Sequence, residues 1–291
     1  MGEITIRSLE TLSEIAAAEE VQRVAWTMSD LDVIPAHALH AMQHSGAVLL
    51  GAFDGDRVVG FTFGVLGTEE NPNRIDQVAA ARLKIYSVIA GVLPEYQQHD
   101  VGFRLKMAQR DFALRIGIRL ITWTYDPLES LNARFNIGKL GAVCRRYLRH
   151  FHGDMTGINT GMPTDRFDVD WWVTQNRVAA RAERKWRPLK LEALMAGGAL
   201  LVNEASFNDA GMPVPPLSYV SRPSNLMLVE IPANIQNIKR ADMPLALRWR
   251  IHTRDIFENM FASGFIVTDF VPHVDQNGNP RSYYLLTHQD S

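Results

Sequence analysis

The sequence predicts a mixed α/β fold: a central mixed sheet flanked by helices, followed by a smaller α/β region. Three observations lead there. Apolar runs of strand length alternate with segments of helical spacing along the chain. The turn Asp54-Gly55-Asp56 separates two strand-like runs, Ala47–Phe53 and Arg57–Leu66, as in an antiparallel hairpin. The run Leu83–Leu93 is followed by helical spacing over Val101–Ile116 and then by the strand-like Arg119–Tyr125, an order that requires a parallel pair joined by a right-handed crossover.

The remaining elements follow from local signals. Ile4–Leu9 reads as a first strand, and Thr11-Leu-Ser-Glu14 places Thr and Glu at capping-box spacing ahead of an alanine-rich helix running to Trp26. A short helix is expected over Pro35–His44, with proline in its first turn. Glu69–Asn73 is a polar loop. Asp126-Pro127 ends the strand before it, and Glu129–Leu140 reads as a helix stopped by Gly141. Ala142–His150 and Arg166–Thr174 return as strands. Beyond a charged helical link, Arg177–Trp186, come the strands Ala199–Ser206 and Asn225–Glu230 around a proline-rich stretch, Gly211–Pro223. A helix over Met243–Phe261, a strand at Phe265–Val271, an Asn277-Gly278 turn and a strand at Ser282–Thr287 close the chain. The division expected is one domain over residues 1–176 and a second over 190–291. Arg104–Phe112 aligns with Arg248–Ile256 at Arg, Arg and Asp, so the second domain reads as a degenerate half-repeat.

The 291 residues are 46% hydrophobic and 21% charged, within the ordinary range of globular proteins. Lys and Arg number 30 against 32 Asp and Glu, so no global basic field exists to collect polyanions and nucleic acid is not an expected partner. The apolar runs fall far short of the roughly 18 residues a membrane-spanning helix needs. With one cysteine, Cys144, and no leader-like segment ahead of Ile4–Leu9, a reducing, cytoplasmic setting is expected.

The segment richest in chemistry is Gly91-Val92-Leu93-Pro94-Glu95-Tyr96-Gln97-Gln98-His99-Asp100-Val101-Gly102, which joins a strand to a helix. Free amides at a helix start, with the positive end of the helix dipole, bind a pyrophosphate without any lysine, provided small residues allow approach. Val92, Pro94, Gln97 and Gly102 match the Val-x-Pro-x-x-Arg/Gln-x-x-Gly-x-Gly/Ala signature at the end of the fourth strand of the GNAT superfamily, acyl-CoA-dependent N-acyltransferases. Asp100 stands where that signature has its first glycine, and a carboxylate there repels a bound pyrophosphate unless it turns to solvent. The order of elements over residues 3–174 also resembles the GNAT order. Asn132 with Lys139-Leu140-Gly141 looks like the superfamily's Asn-bearing helix and the Lys-x-Gly element that follows it.

The resemblance implies transfer of an acyl group, most simply acetyl, from acetyl-CoA or another acyl-CoA such as succinyl-CoA to the amine of a small molecule. It implies a donor site formed by Ala90, Gly91, Val92, Gln97, Gln98, His99, Asp100, Val101, Gly102 and Phe103. The thioester carbonyl would be polarised by a backbone N–H from Val88–Val92, where the fourth and fifth strands splay. A base and an acid complete such a reaction. Many relatives carry a tyrosine acid four residues before the Gly of Lys-x-Gly, but that position here is Ile137. Tyr125 or Tyr86 are the substitutes, or a solvated CoA thiolate needs no donor at all, with Asn132 as a further site residue. The second domain would shape the acceptor pocket or form a homodimer interface. The alternative reading keeps the fold without the reaction, as a ligand-binding or regulatory module.

Other features have blander expectations. His37, His40 and His44 share a helical face that reads as solvated, and His150-Phe-His152 lacks companions for a coordination sphere, so no metal is expected. Trp171-Trp172 and Tyr283-Tyr284 read as core, or as aromatic recognition of an acceptor. Arg145, Arg146 and Arg149 either meet phosphate or face solvent.

Overall fold

In the computed structural model, residues 2–69, 83–153, 161–220, 222 and 224–288 are described. Most of the expected loop Glu69–Asn73 and two positions of the proline-rich stretch, Ser221 and Pro223, lie outside them. The described residues form two compact units, one running to Trp123 and taking in Trp172–Gln175, the other holding the rest.

The first unit opens with β1 (Ile4–Ser8), α1 (Leu12–Trp26) and α2 (Ala36–His44). The capping box forms as expected: the Thr11 hydroxyl accepts from Glu14 N and the Glu14 carboxylate accepts from Thr11 N. There follow β2 (Val48–Asp54), β3 (Arg57–Thr68), β4 (Leu83–Val92), α3 (Val101–Arg115) and β5 (Leu120–Tyr125), whose last two residues pass into the second unit. The strands lie in the order β1-β2-β3-β4-β5. Gly55, at φ 60°, turns the β2–β3 hairpin with Asp54 opposite Arg57. Within this unit β1 to β4 pair antiparallel, while β4 and β5 pair in parallel, the crossover geometry that a helix between two strands imposes. Val48, Leu49, Phe53, Phe61 and Phe63 are buried in the core of this sheet.

The second unit holds α4 (Ser130–Ala133), β6 (Val143–Leu148), β7 (Arg166–Trp172, all but its last residue), α5 (Asn176–Ala182), α6 (Leu191–Ala196), β8 (Leu200–Leu201), β9 (Ser206–Phe207), β10 (Pro213–Val214), β11 (Leu226–Ile231), α7 (Ile235–Ala241), α8 (Met243–Ala262), β12 (Phe265–Val274) and β13 (Pro280–His288). Its sheet runs β7-β6-β12-β13-β11-β8, and β9 pairs with β10. These compact units part at Trp123, with Trp172–Gln175 returning to the first. The reason is long-range packing. Val267 on β12 pairs with Cys144 on β6. Phe257 and Phe261 of α8, Tyr147 of β6, Phe167 of β7 and Tyr284 of β13 form one aromatic cluster with centroids 4.7–6.3 Å apart. Trp171, Tyr283 and Tyr284 are core residues, and Arg145, Arg146 and Arg149 are ion-paired to Asp170, Asp168 and Glu258.

Two local differences have simple causes. The expected strand Ala199–Ser206 breaks because the Asn203 amide takes over the ladder, donating to Glu230 O at 3.0 Å and accepting from Glu230 N at 2.8 Å. The expected helix Glu129–Leu140 is helical from Ser130 to Lys139, and Arg134–Lys139 widens to a π-helix, with Leu140 N bonding to Phe135 O. Both repeat-like segments are helical, in α3 and α8.

Candidate active site

The first unit's sheet comes apart along one seam. The β4–β5 ladder pairs Ile85 with Ile121 and Tyr86 with Thr122, and β4 then runs on to Val92. Against β3, the register jumps from Phe63↔Ile89 to Gly64↔Ser87, making Val88 the extra residue of a β-bulge. A bulge bends its strand and leaves one residue out of the ladder, and such features gather beside functional sites. Val88 is 39% exposed, and Ala90 is exposed as well, although both are apolar residues of an inner strand. This stretch of β4 beyond its last pair with β5, called the trough below, presents Val88 and Ala90 to solvent.

β4 leads into the candidate phosphate turn. Leu93 N donates to Val59 O at 2.9 Å, and Pro94–His99 form a 3₁₀ turn. That turn is fixed by its own side chains. The Tyr96 hydroxyl donates to Asp54 at 2.9 Å, Arg57 pairs with Glu95 at 3.0 Å, and the Gln97 amide donates back to Val92 O at 3.1 Å. The bond from Tyr96 and the one from Gly2 N hold the Asp54 carboxyl below its usual range. Asp100 sits in the left-handed region, at φ 62° and ψ 11°. That explains why this position suits glycine and why Asp, which tolerates the region better than most residues, can stand there. α3 then begins with no side-chain cap from Asp100, and a helix start of this kind is where backbone amides meet anions.

The expected donor residues divide by role. Val101 and Phe103 are buried and anchor the helix. His99 and Gln97 are exposed, and Gly102 is half-buried; the Gln98 side chain lies outside the described ones. At Gly91 the Trp26 indole fills the space a Cβ would need, 2.2 Å from the nearest ring atom. The absence of a side chain there admits the end of α1.

Sequence reasoning missed the most unusual group nearby. Lys106, on the inner face of α3, is 4% exposed. Its Nζ donates to Ser87 Oγ at 2.8 Å and Gln109 Oε1 at 3.0 Å, and lies 4.0 Å from the centroid of the Trp123 ring. Burial pushes its pKa down to about 7. The available signal was the inner stripe of α3, where Lys106 and Gln109 stand at i, i+3 spacing among apolar positions.

Tyr86 is half-buried on β4. Tyr125 and Asn132 belong to the second unit. Asn132 is exposed on α4. Tyr125 is buried, and its hydroxyl lies 3.1 Å from that of Tyr284, which donates to Pro127 O at 2.8 Å. The single Tyr284 proton is thus committed to Pro127, which leaves Tyr125 as the donor to Tyr284. Burial raises both phenol pKa values well above the usual one. His37, His40 and His44 are exposed on α2. Among the described residues, no group of three His, Cys, Asp or Glu side chains could hold a metal ion, and no helix is long and apolar enough to cross a membrane.

No family model matches the chain, and no curated protein matches it. Among solved structures it is similar to the ribosomal-protein-S18-alanine N-acetyltransferase of Escherichia coli, at 15% identity and TM-score 0.45 over 60% of this chain and 96% of that one. A putative acetyltransferase from Salmonella typhimurium, solved with its cofactor acetyl-CoA, gives 17% and 0.46 over 60% and 96%. A putative acetyltransferase of the GNAT family from Desulfovibrio desulfuricans gives 15% and 0.46 over 59% and 100%.

Proposed function

We propose that this protein is an acyl-CoA-dependent N-acyltransferase that moves an acyl group, most simply acetyl, to the amine of a small molecule. One observation carries the reading: β4 parts from β5 after Tyr86 and Thr122, exposes Val88 and Ala90, and leads through a pinned turn to the uncapped start of α3. A diphosphate suits the helix start, and an extended thioester arm suits the trough beside a strand edge with free backbone groups. An N–H from Val88–Val92 then polarises the thioester carbonyl. A neutral amine attacks the carbonyl carbon, the C–N bond forms, the C–S bond breaks with its electron pair leaving on the thiolate, and the proton shed by the nitrogen passes through water to solvent or to that thiolate. Holding both substrates in the unit supplies much of the rate.

Calorimetry with acetyl-CoA and succinyl-CoA tests the donor. Binding of either, lost in Gly102→Glu with the far-UV circular dichroism preserved, supports the assignment; no binding of either at millimolar ligand overturns it.

A second reading, a non-catalytic ligand-binding module, is favoured by the commitment of the Tyr125 proton to Tyr284. Thiol release separates the two. Free CoA detected with Ellman's reagent, in the presence of acetyl-CoA and a panel of amines, supports the enzyme; donor binding without turnover across the panel supports the module.

A further inference from the structure

We propose that Lys106 is a positioning residue of the donor site, a clasp that holds β4 and β5 together at the point where their pairing ends. This rests on the reading of the trough as a thioester site. The last paired residues are Tyr86 and Thr122. The next residue on each strand is Ser87 and Trp123, and these are the two that Lys106 Nζ joins, by a hydrogen bond of 2.8 Å and a ring contact at 4.0 Å. The lysine thus spans a gap that the backbone leaves open. Ser87 also adjoins the bulge residue Val88, so the clasp fixes the strand segment whose amide is aimed at the donor carbonyl.

The chemistry of the surroundings argues for a purpose beyond packing. Ser87, Gln109 and Trp123, the groups that contact Nζ, carry no charge, and a buried ammonium without a carboxylate is costly where a leucine would be cheap. Further polar groups are buried in the same unit. Gln109 Nε2 and the hydroxyl of Thr62, on neighbouring β3, are buried without a hydrogen-bond partner. Both protonation states of the amine can donate to Ser87, but the attraction to the Trp123 face needs the charge. The clasp is therefore tighter in the protonated form.

The test compares two probes, acetyl-CoA and adenosine 3′,5′-bisphosphate, the second lacking the arm that would enter the trough. Calorimetry on wild type and Lys106→Met is run on either side of the lysine's pKa, about 7. Lys106→Met is expected to weaken acetyl-CoA about tenfold, the size of one lost charge-assisted contact, with bisphosphate affinity unchanged. In wild type the ratio of the two affinities is expected to fall as pH rises through the lysine's pKa, and in the variant to stay flat. Ser87→Ala, which removes the tether but keeps the lysine, shifts the ratio the same way by less and serves if the methionine variant does not fold. Unchanged acetyl-CoA affinity, equal loss of both probes, or a pH-independent wild-type ratio overturns the clasp. Failure of wild type to bind either probe overturns instead the donor-site reading beneath it, and the clasp with it.

Discussion

The Trp26 ring lies directly over Gly91, with its nearest atom 2.2 Å from where a Cβ would stand. The end of α1 is thereby locked to the end of β4, one residue before Val92 and the turn into α3. Gly91→Ala is expected to destabilise the protein by about 1–3 kcal/mol, the usual cost of overpacking. Trp26→Ala in the same chain should recover part of that loss, because it removes the clashing ring. Urea denaturation of the two single variants and the double variant measures the coupling, and additive losses would show that the ring is not what Gly91 accommodates.

Lys106 makes stability depend on pH. Its folded pKa is about 7 against an ordinary 10.5, so between those values the unfolded chain binds more protons than the folded one. Stability contributed by this site therefore rises with pH across that window, and the burial cost is fully present below it. Relative to Lys106→Met, wild type should gain stability of order a few kcal/mol from pH 7 to 10. Chemical denaturation at several pH values checks the slope; a constant difference between the two proteins would refute the buried, titrating amine.

Asp100 occupies a left-handed backbone position. Asp100→Gly relaxes that conformation and removes a negative charge from the helix start, where it opposes an anionic ligand. The expected result is an equal or tighter acetyl-CoA complex by calorimetry. A large loss of affinity would mean that the carboxylate itself contributes to the site.

In the second unit, Arg250 is almost fully buried and paired with Asp126, while its Nε and Nη1 have no partner. Asp126→Asn keeps the bond accepted from Leu128 N but strands the guanidinium. It is expected to cost about 3–5 kcal/mol, as breaking a buried pair does, and Arg250→Met less than that. Thermal melts of the two variants decide the order.

Tyr125→Phe removes the donor to Tyr284 while Tyr284 keeps its bond to Pro127. The expected loss is about 1 kcal/mol of stability, with thiol release unaltered. A strong fall in release at an unchanged melting temperature would instead make Tyr125 the acid.

Much of this architecture was legible in local signals. The capping box at Thr11 and Glu14, the Asp54-Gly55-Asp56 hairpin turn and the parallel pair around α3 each follow from chemistry within a few residues, because caps, turns and periodicity act over one or two turns of chain. The turn ahead of α3 was legible as well, down to the awkward residue at Asp100.

What the sequence by itself determined is the order and type of elements and the place where a strand hands over to a helix start. Tertiary structure decided the rest. Cys144 meets Val267, and Phe257 meets Phe167, so the chain divides at Trp123; Trp26 claims Gly91; and Lys106 reaches across to Ser87 and Trp123. These partners lie far apart along the chain, and no local pattern encodes which distant side chain fills a given space. That choice is made by packing, when apolar surfaces and buried polar groups find the arrangement that leaves the fewest of them unmatched.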